Sequence, residues 1–217
     1  DPVVIHGGGP FTFIYSKTQA KDPMELVRLI DANWDDSRES IKKKYFELWF
    51  GGNTPLLAIA QNAGNKYKDD IDLAVEVFTQ ELSQELAIPL PTPRLEAHPS
   101  PLDFGTVEQN ANKNMLLQVI NTSRGYVCGS VRVHADGWLK LNTARFAVDP
   151  KTKTGSVAVT VDGSKLAAGM NRCQVVFEPH PSTSAKPVSV DITVMRRFPY
   201  QHWLLESSGF AFVLGLP

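Results

Sequence analysis

Little in this chain offers reactive chemistry. Its 217 residues include only two cysteines, Cys128 and Cys173, too few for a disulfide framework or, alone, for a zinc site. Alternation turns Cys128 away from the face that holds Val127, Val131 and Val133, whereas Cys173 shares a face with Val175 and Phe177, so the two should not pair across a core. Unpaired thiols favour a reducing compartment. An excess of one charge is also missing: 22 basic and 23 acidic residues leave a net charge of −1, no basic field for nucleic acid.

Catalytic and ligand motifs are absent as well. His6, His98, His134, His180 and His202 are scattered with no helical i, i+4 pair, so no metal pattern emerges. Gly7-Gly8-Gly9 lacks the Lys-Ser/Thr pair of a phosphate loop, and no cofactor is expected. Serines sit outside any Gly-x-Ser-x-Gly elbow. Asp103-Phe104-Gly105 matches the kinase metal tripeptide in letters, without a Gly-rich loop, a strand lysine or a His-Arg-Asp loop. Asp69-Asp70-Ile71-Asp72 lacks the central glycine and closing Glu of a calcium loop and reads as helix N-terminal acids. These absences exclude the common enzyme classes and point to a non-enzyme.

What the chain does have is apolar residues, 42% of the total, enough for real cores, and a change of period near Pro89. Residues 1–21 read as a leader with a candidate short strand at Phe11 to Tyr15. A helical domain follows over residues 22–88. Asp22-Pro23-Met24-Glu25 is a capped start, with Leu26, Leu29, Ile30 and Trp34 on one face. A second helix starts at Asp35-Asp36-Ser37 and carries Ile41, Tyr45, Phe46, Leu48 and Trp49 up to Gly51-Gly52. A third runs from Thr54-Pro55 to a C-cap at Gly64. The last spans Lys68 to Leu86, with Ile71, Val75, Phe78 and Leu82 in a stripe. Trp34, Tyr45, Phe46 and Trp49 could line an aromatic groove, but aromatics at helical spacing serve packing first. Lys42-Lys43-Lys44, among Arg38, Glu39 and Glu47, reads as a solvated face.

Pro89, Pro91 and Pro93 make residues 89–94 a stiff, extended linker. Beyond it, over residues 95–196, extended segments recur at regular spacing: Leu95 to Ala97, Leu102 to Val107, Asn114 to Asn121, Tyr126 to Ala135, Trp138 to Leu141, Arg145 to Val148, Gly155 to Val161, Arg172 to Glu178 and Val188 to Met195. Alternation is strict in Val157/Val159/Val161 and in Val188/Val190/Ile192/Val194. The fold class is therefore α+β: a small N-terminal helical domain followed by an antiparallel immunoglobulin-like β-sandwich of about seven strands. Phe104 and Trp138 belong in its core. Residues 197–217 form an apolar tail with no charge after Glu206, too short to span a membrane alone, which either packs on the body or begins a membrane anchor continuing beyond residue 217.

Leu102-Asp103-Phe104-Gly105, the run from Leu117 to Asn121 with its Asn121-Thr122-Ser123-Arg124-Gly125 turn, Trp138-Leu139, Val157 to Val161 and Ala168-Gly169-Met170 together resemble bacterial ASH/Hydin-like immunoglobulin domains over residues 93–196. The wider arrangement, with Asp31, Trp34 and Trp49 before the sandwich and Arg197-Phe198-Pro199 after it, resembles the C-terminal accessory region of bacterial eukaryotic-like Ser/Thr kinases. The resemblance implies a non-catalytic protein-interaction or spacer module of a larger signalling protein, cytoplasmic and membrane-proximal. Its partner is then a protein or another domain of the same parent chain. Trp34, Trp49, Arg124 and Tyr126 are the candidate partner-binding residues. The alternative is a sensing domain that binds a small molecule or glycan between helices and sandwich. A free edge or flat patch favours the first reading, and an interdomain pocket with convergent polar groups favours the second.

Overall fold

The computed structural model describes residues 9–134 and 137–197. The expectations for residues 1–8 and for the tail after Arg197 lie outside the described residues. Among the described residues no helix is long and apolar enough to cross a membrane.

The helical unit begins earlier than its first cap. A two-residue strand at Phe11–Thr12 (β1) pairs antiparallel with Gln19–Ala20 (β2). Phe11, Phe13 and Ala20 are buried in the helical core, so residues 11–20 of the stretch read as a leader belong to the unit. Helix α1, Pro23–Leu29, is capped as its sequence requires: Asp22 accepts from Glu25 N at 2.8 Å, and Glu25 reaches back to Lys21 N at 2.7 Å. The apolar set from Ile41 to Trp49, read as one helix, is two: α2, Trp34–Lys42, and α3, Tyr45–Phe50. They are separated at Lys44, which sits in the left-handed region at φ 61°. No glycine or proline marks that break. Helix α4, Thr54–Lys66, runs through Gly64 instead of ending there. Gly64 faces α2, and a Cβ on it would lie 3.4 Å from the Ile41 side chain, at the edge of ordinary contact.

Helix α5, Ile71–Glu85, starts at Asp70, whose carboxylate accepts from Leu73 N at 3.0 Å. It ends without glycine. Ala87 takes φ 52°, its N–H bonds to Gln84 O, and Ile88 N–H bonds to Ser83 O, the two bonds of a Schellman closure. That closure folds the linker back, and Ile88 and Leu90 pack against the helical core. The segment therefore adheres to the helices and is no free-standing spacer.

All nine extended segments are strands: β3 Leu95–His98, β4 Leu102–Val107, β5 Asn112–Asn121, β6 Val127–His134, β7 Leu139–Leu141, β8 Arg145–Val148, β9 Thr154–Asp162, β10 Gly169–Pro179 and β11 Val188–Arg196. One sheet has the order β4-β11-β10-β6-β8 and the other β3-β5-β9-β7. Pairing is antiparallel except for β11 with β4, which is parallel. The chain's first sandwich segment is divided between the sheets, β3 in one and β4 in the other. Between the layers lie Leu117, Val119, Val157, Val159, Val161, Val175, Phe177, Val190, Ile192 and Val194, all fully buried. Asp103-Phe104-Gly105 is a bulge: Thr193 and Met195, two residues apart, face Asp103 and Thr106, three apart. Gly105 supplies the positive φ of 62°, Asp103 accepts from Gly105 N and Thr193 Oγ1, and Phe104 plugs the core.

Phe104→Ala should cost about 3–5 kcal/mol, the range for emptying a core aromatic site. Urea unfolding of the variant checks this; a loss below about 1 kcal/mol means that the ring does not fill the sandwich.

Candidate functional site

The turn after β5 joins the two units. Asn121 is buried, and its side chain bonds four backbone groups: Oδ1 accepts from Arg94 N and Ser123 N, and Nδ2 donates to Arg124 O and Gly125 O. The turn so fixed aims Arg124 into the helical unit. Its guanidinium donates to Asp31 at 2.7 and 2.8 Å and to Glu76 at 2.8 and 3.2 Å. Glu76 is 0% exposed. Its carboxylate also accepts from Gln80 Nε2 at 2.7 Å and Tyr126 N at 3.1 Å. Burial pulls the Arg124 pKa down, but the hydrogen bonds to Asp31 and the charges of Glu76 and Asp31 more than reverse this and hold it above its ordinary value. Gly125, at φ 76°, leaves room for the carboxylate: a Cβ there would stand 2.1 Å from Glu76 Oε2.

Further contacts line the same seam. Tyr126 is packed in the helical core and its hydroxyl donates to Asp70 at 3.4 Å. The loop after β10 adds Tyr67 to Ser182, Gln80 to Thr183 O and Ser184 to Gln80. Lys151 pairs with Asp35. The sandwich and helices thus form one body.

This arrangement locates each sequence candidate. Arg124 and Tyr126 are committed to the helical unit of the same chain. Trp34 is buried and donates to Asp72 at 2.7 Å. Trp49 is half-buried, packs on Phe11 and Phe50, and donates to Gly9 O at 3.0 Å. The two indoles thus have different partners and do not build a shared open groove. Of the two acids that complete the seam, Asp31 enters the sequence reading only through its spacing to Trp34 and Trp49, and Glu76 is not singled out there. The signal was present for Glu76, a lone acid within Ala74-Val75-Glu76-Val77-Phe78.

Among the described residues the clefts between the units include a small one of about 220 Å³ beside the linker and two larger ones. One, of about 700 Å³, is lined by Asp31, Asp35, Asp36, Glu39, Arg38 and Lys151 among others. Its acids are already matched: Asp31 by Arg124, Asp35 by Arg38 and Lys151, Glu39 by Lys42, and Asp36 by the N–H groups of Tyr15 and Ser16. The other, of about 770 Å³, lies between the start of α5 (Asp70, Leu73) and the outer face of the five-stranded sheet. The sheet contributes Tyr126, Cys128 and Ser130 of the β6 side, Arg145 and Ala147 of β8, and Glu178 to Pro181 at the end of β10.

Within this second cleft Glu178 pairs with Arg132 at 3.0 Å and accepts from Ser130 at 3.3 Å. His180 accepts from Ser182 N on Nδ1, which leaves Nε2 for a ligand. Arg145 is exposed and makes no ion pair among the described residues. Cys128 is a free thiol here, pushed up to about 12 by burial and by the Asp70 charge. Cys173 lies apart, against the sandwich core, and is pushed up to about 12 by burial. Among the described residues no group of three or more His, Cys, Asp or Glu is placed to hold a metal ion.

No protein-family model matches the chain, and no curated protein matches it. Similar solved structures include the ASH/PapD-like domain of human CEP192, at 11% identity over 50% of this chain and 88% of that one, TM-score 0.41. The apo form of the Calx CBD1 domain matches at 9% identity over 50% and 100%, TM-score 0.40. A Bacteroides ovatus protein whose suggested role is carbohydrate binding matches at 11% identity over 49% of this chain, TM-score 0.40, and this chain spans 38% of its length. The fold assignment itself stands on the strand order described above.

Two measurements check the seam. Arg124→Ala leaves the Glu76 carboxylate buried without its cation and should cost about 3–5 kcal/mol in urea unfolding, while Arg124→Leu combined with Glu76→Leu should cost less. Separately, both thiols should react with iodoacetamide at pH 8.5 at least about tenfold more slowly in the folded chain than in urea, because the thiolate is the nucleophile. Their raised folded values also make stability fall as pH rises past the ordinary thiol value of 9.0, since there only the unfolded chain ionises them.

Proposed function

We propose that the chain is a non-catalytic interaction module that holds a segment of a partner protein in the cleft between α5 and the outer face of the five-stranded sheet. The observation that carries this reading is the shared construction of the cleft: Asp70 and Leu73 come from the helical unit, and Ser130, Arg145, Ala147 and His180 from the sandwich. The buried Glu76–Arg124 pair keeps the two walls in register. Sites for small molecules enclose most of their ligand; this cleft instead sets Asp70, Arg132, Arg145 and Glu178 among Leu73, Ala147, Pro179 and Pro181 along the outer face of the sheet. Carbohydrate recognition by ring stacking needs an open aromatic face, and the aromatics of this cleft, Tyr126 and Phe146, are 7% and 5% exposed. The cleft lies between the units, where a sensing site would be expected, but its polar groups do not converge on one small ligand: Asp70, Arg132 and Glu178 are partnered within the chain, and a protein segment with polar and apolar groups of its own fits what is left.

The spacing of Asp31, Trp34 and Trp49 supports the further reading that this module serves a larger, membrane-proximal signalling chain in the cytoplasm. Finding a catalytic domain in the same open reading frame tests that extension.

The cleft itself is tested with a phage-displayed peptide library panned against the whole chain. Enriched peptides should lose binding to Ala147→Trp, which fills the cleft from an exposed position, and the variant's melting temperature should match that of the parent chain. No enrichment, or peptides that bind Ala147→Trp as well as the parent chain, overturns the proposal. Glycan-array binding abolished by Ala147→Trp, without peptide binding, favours the sensing alternative.

A further inference from the structure

The charged side chains facing the cleft are Asp70, Arg132, Arg145 and Glu178, and the His180 imidazole stands beside them. Most are spoken for inside the chain. One Asp70 oxygen caps α5 through Leu73 N and the other receives the Tyr126 hydroxyl. Arg132 and Glu178 hold each other, and Ser130 donates to the same carboxylate oxygen that Arg132 approaches. What is left over is cationic or a donor: the Arg145 guanidinium and His180 Nε2, whose ring carries its proton on Nε2 when neutral because Nδ1 is an acceptor. Beside them lie Leu73, Pro179 and Pro181.

Resting on the cleft reading above, we infer that the partner segment is acidic: it presents a Glu or Asp carboxylate to Arg145, with an apolar neighbour on Leu73 and the prolines. The fork of the guanidinium takes a carboxylate with two parallel hydrogen bonds. A lysine-bearing segment is disfavoured, because the cleft's own carboxylates already have their donors and Arg145 repels it. Arg145 sits on β8 directly opposite Ser130 of β6, so its Cα is fixed by the sheet register and only the side chain must order on binding.

The test is an amide NMR titration of the full chain with three capped tetrapeptides, Leu-Glu-Leu-Glu, Leu-Gln-Leu-Gln and Leu-Lys-Leu-Lys, and with inorganic phosphate. Resonances of Gly129, Ala147 and His180 should move with the acidic peptide. Its affinity should exceed that of the Gln peptide about fivefold, the size of one exposed ion pair, and should weaken as salt is raised. Arg145→Gln should abolish the preference, and Arg145→Lys should retain part of it. Equal binding of the Glu and Gln peptides at these amides overturns the acidic inference while the cleft reading stands. If none of the peptides moves these amides, both fall. Phosphate that reproduces the acidic peptide's shifts at equal affinity marks a free-anion site and overturns the peptide assignment.

Discussion

A carboxylate with no exposure to water, Glu76, is the constraint around which the two halves of this molecule are arranged. Burying such a charge is costly unless a counter-ion and hydrogen bonds take the place of water. Here Gln80 of the same helix supplies one hydrogen bond, and the counter-ion and a further donor come from the other unit: the Arg124 guanidinium and the Tyr126 N–H of the sandwich. The helical unit therefore cannot expose this face alone without leaving a charge in an apolar stripe, and the sandwich cannot swing away without stranding Arg124. Specific orientation is the return on a contact that, by energy alone, a pair of leucines could match.

Much of the architecture is legible in sequence because period and turn chemistry report it directly. The strict alternation at Val157 to Val161 places β9, and Asp22-Pro23 with Glu25 places the start of α1. What escapes is structure made by tertiary contact. Lys44 and Ala87 take left-handed conformations with no glycine to announce them, so the break between α2 and α3 and the folding back of the linker carry no local signal. Gly64 looked like a helix end and is instead a place where two helices touch. The seam shows the same limit. Arg124 and Tyr126 stand out as polar and aromatic residues at a turn, but whether they meet a foreign partner or the chain's own helix depends on Glu76, 48 residues away in sequence from Arg124.

A sandwich of this kind hosts many unrelated roles, and what distinguishes this chain is the cleft with its spare charges. The cleft exists because the helical unit covers only part of the outer sheet face: Cys128 and Tyr126 lie beneath it, Arg145 and Ala147 beyond its edge. Fixing that boundary is again the work of the seam. A ligand in the cleft touches both walls and so favours the joined form, which links occupancy to the stability of the whole chain.

Asn121 carries one more consequence. Asn121-Thr122-Ser123 has the letters of an acceptor for N-linked sugar, yet the side chain is 2% exposed and gives both its amide hydrogens to Arg124 O and Gly125 O. A chain passed through a glycosylating secretory route meets the transferase before this turn has closed. Sugar on Nδ2 would then remove one of the two donors, block the turn by bulk, and leave Arg124 unable to reach Glu76. Heterologous production in such a host would loosen the joint between helices and sandwich at Glu76, a defect that replacing Ser123 with alanine would remove.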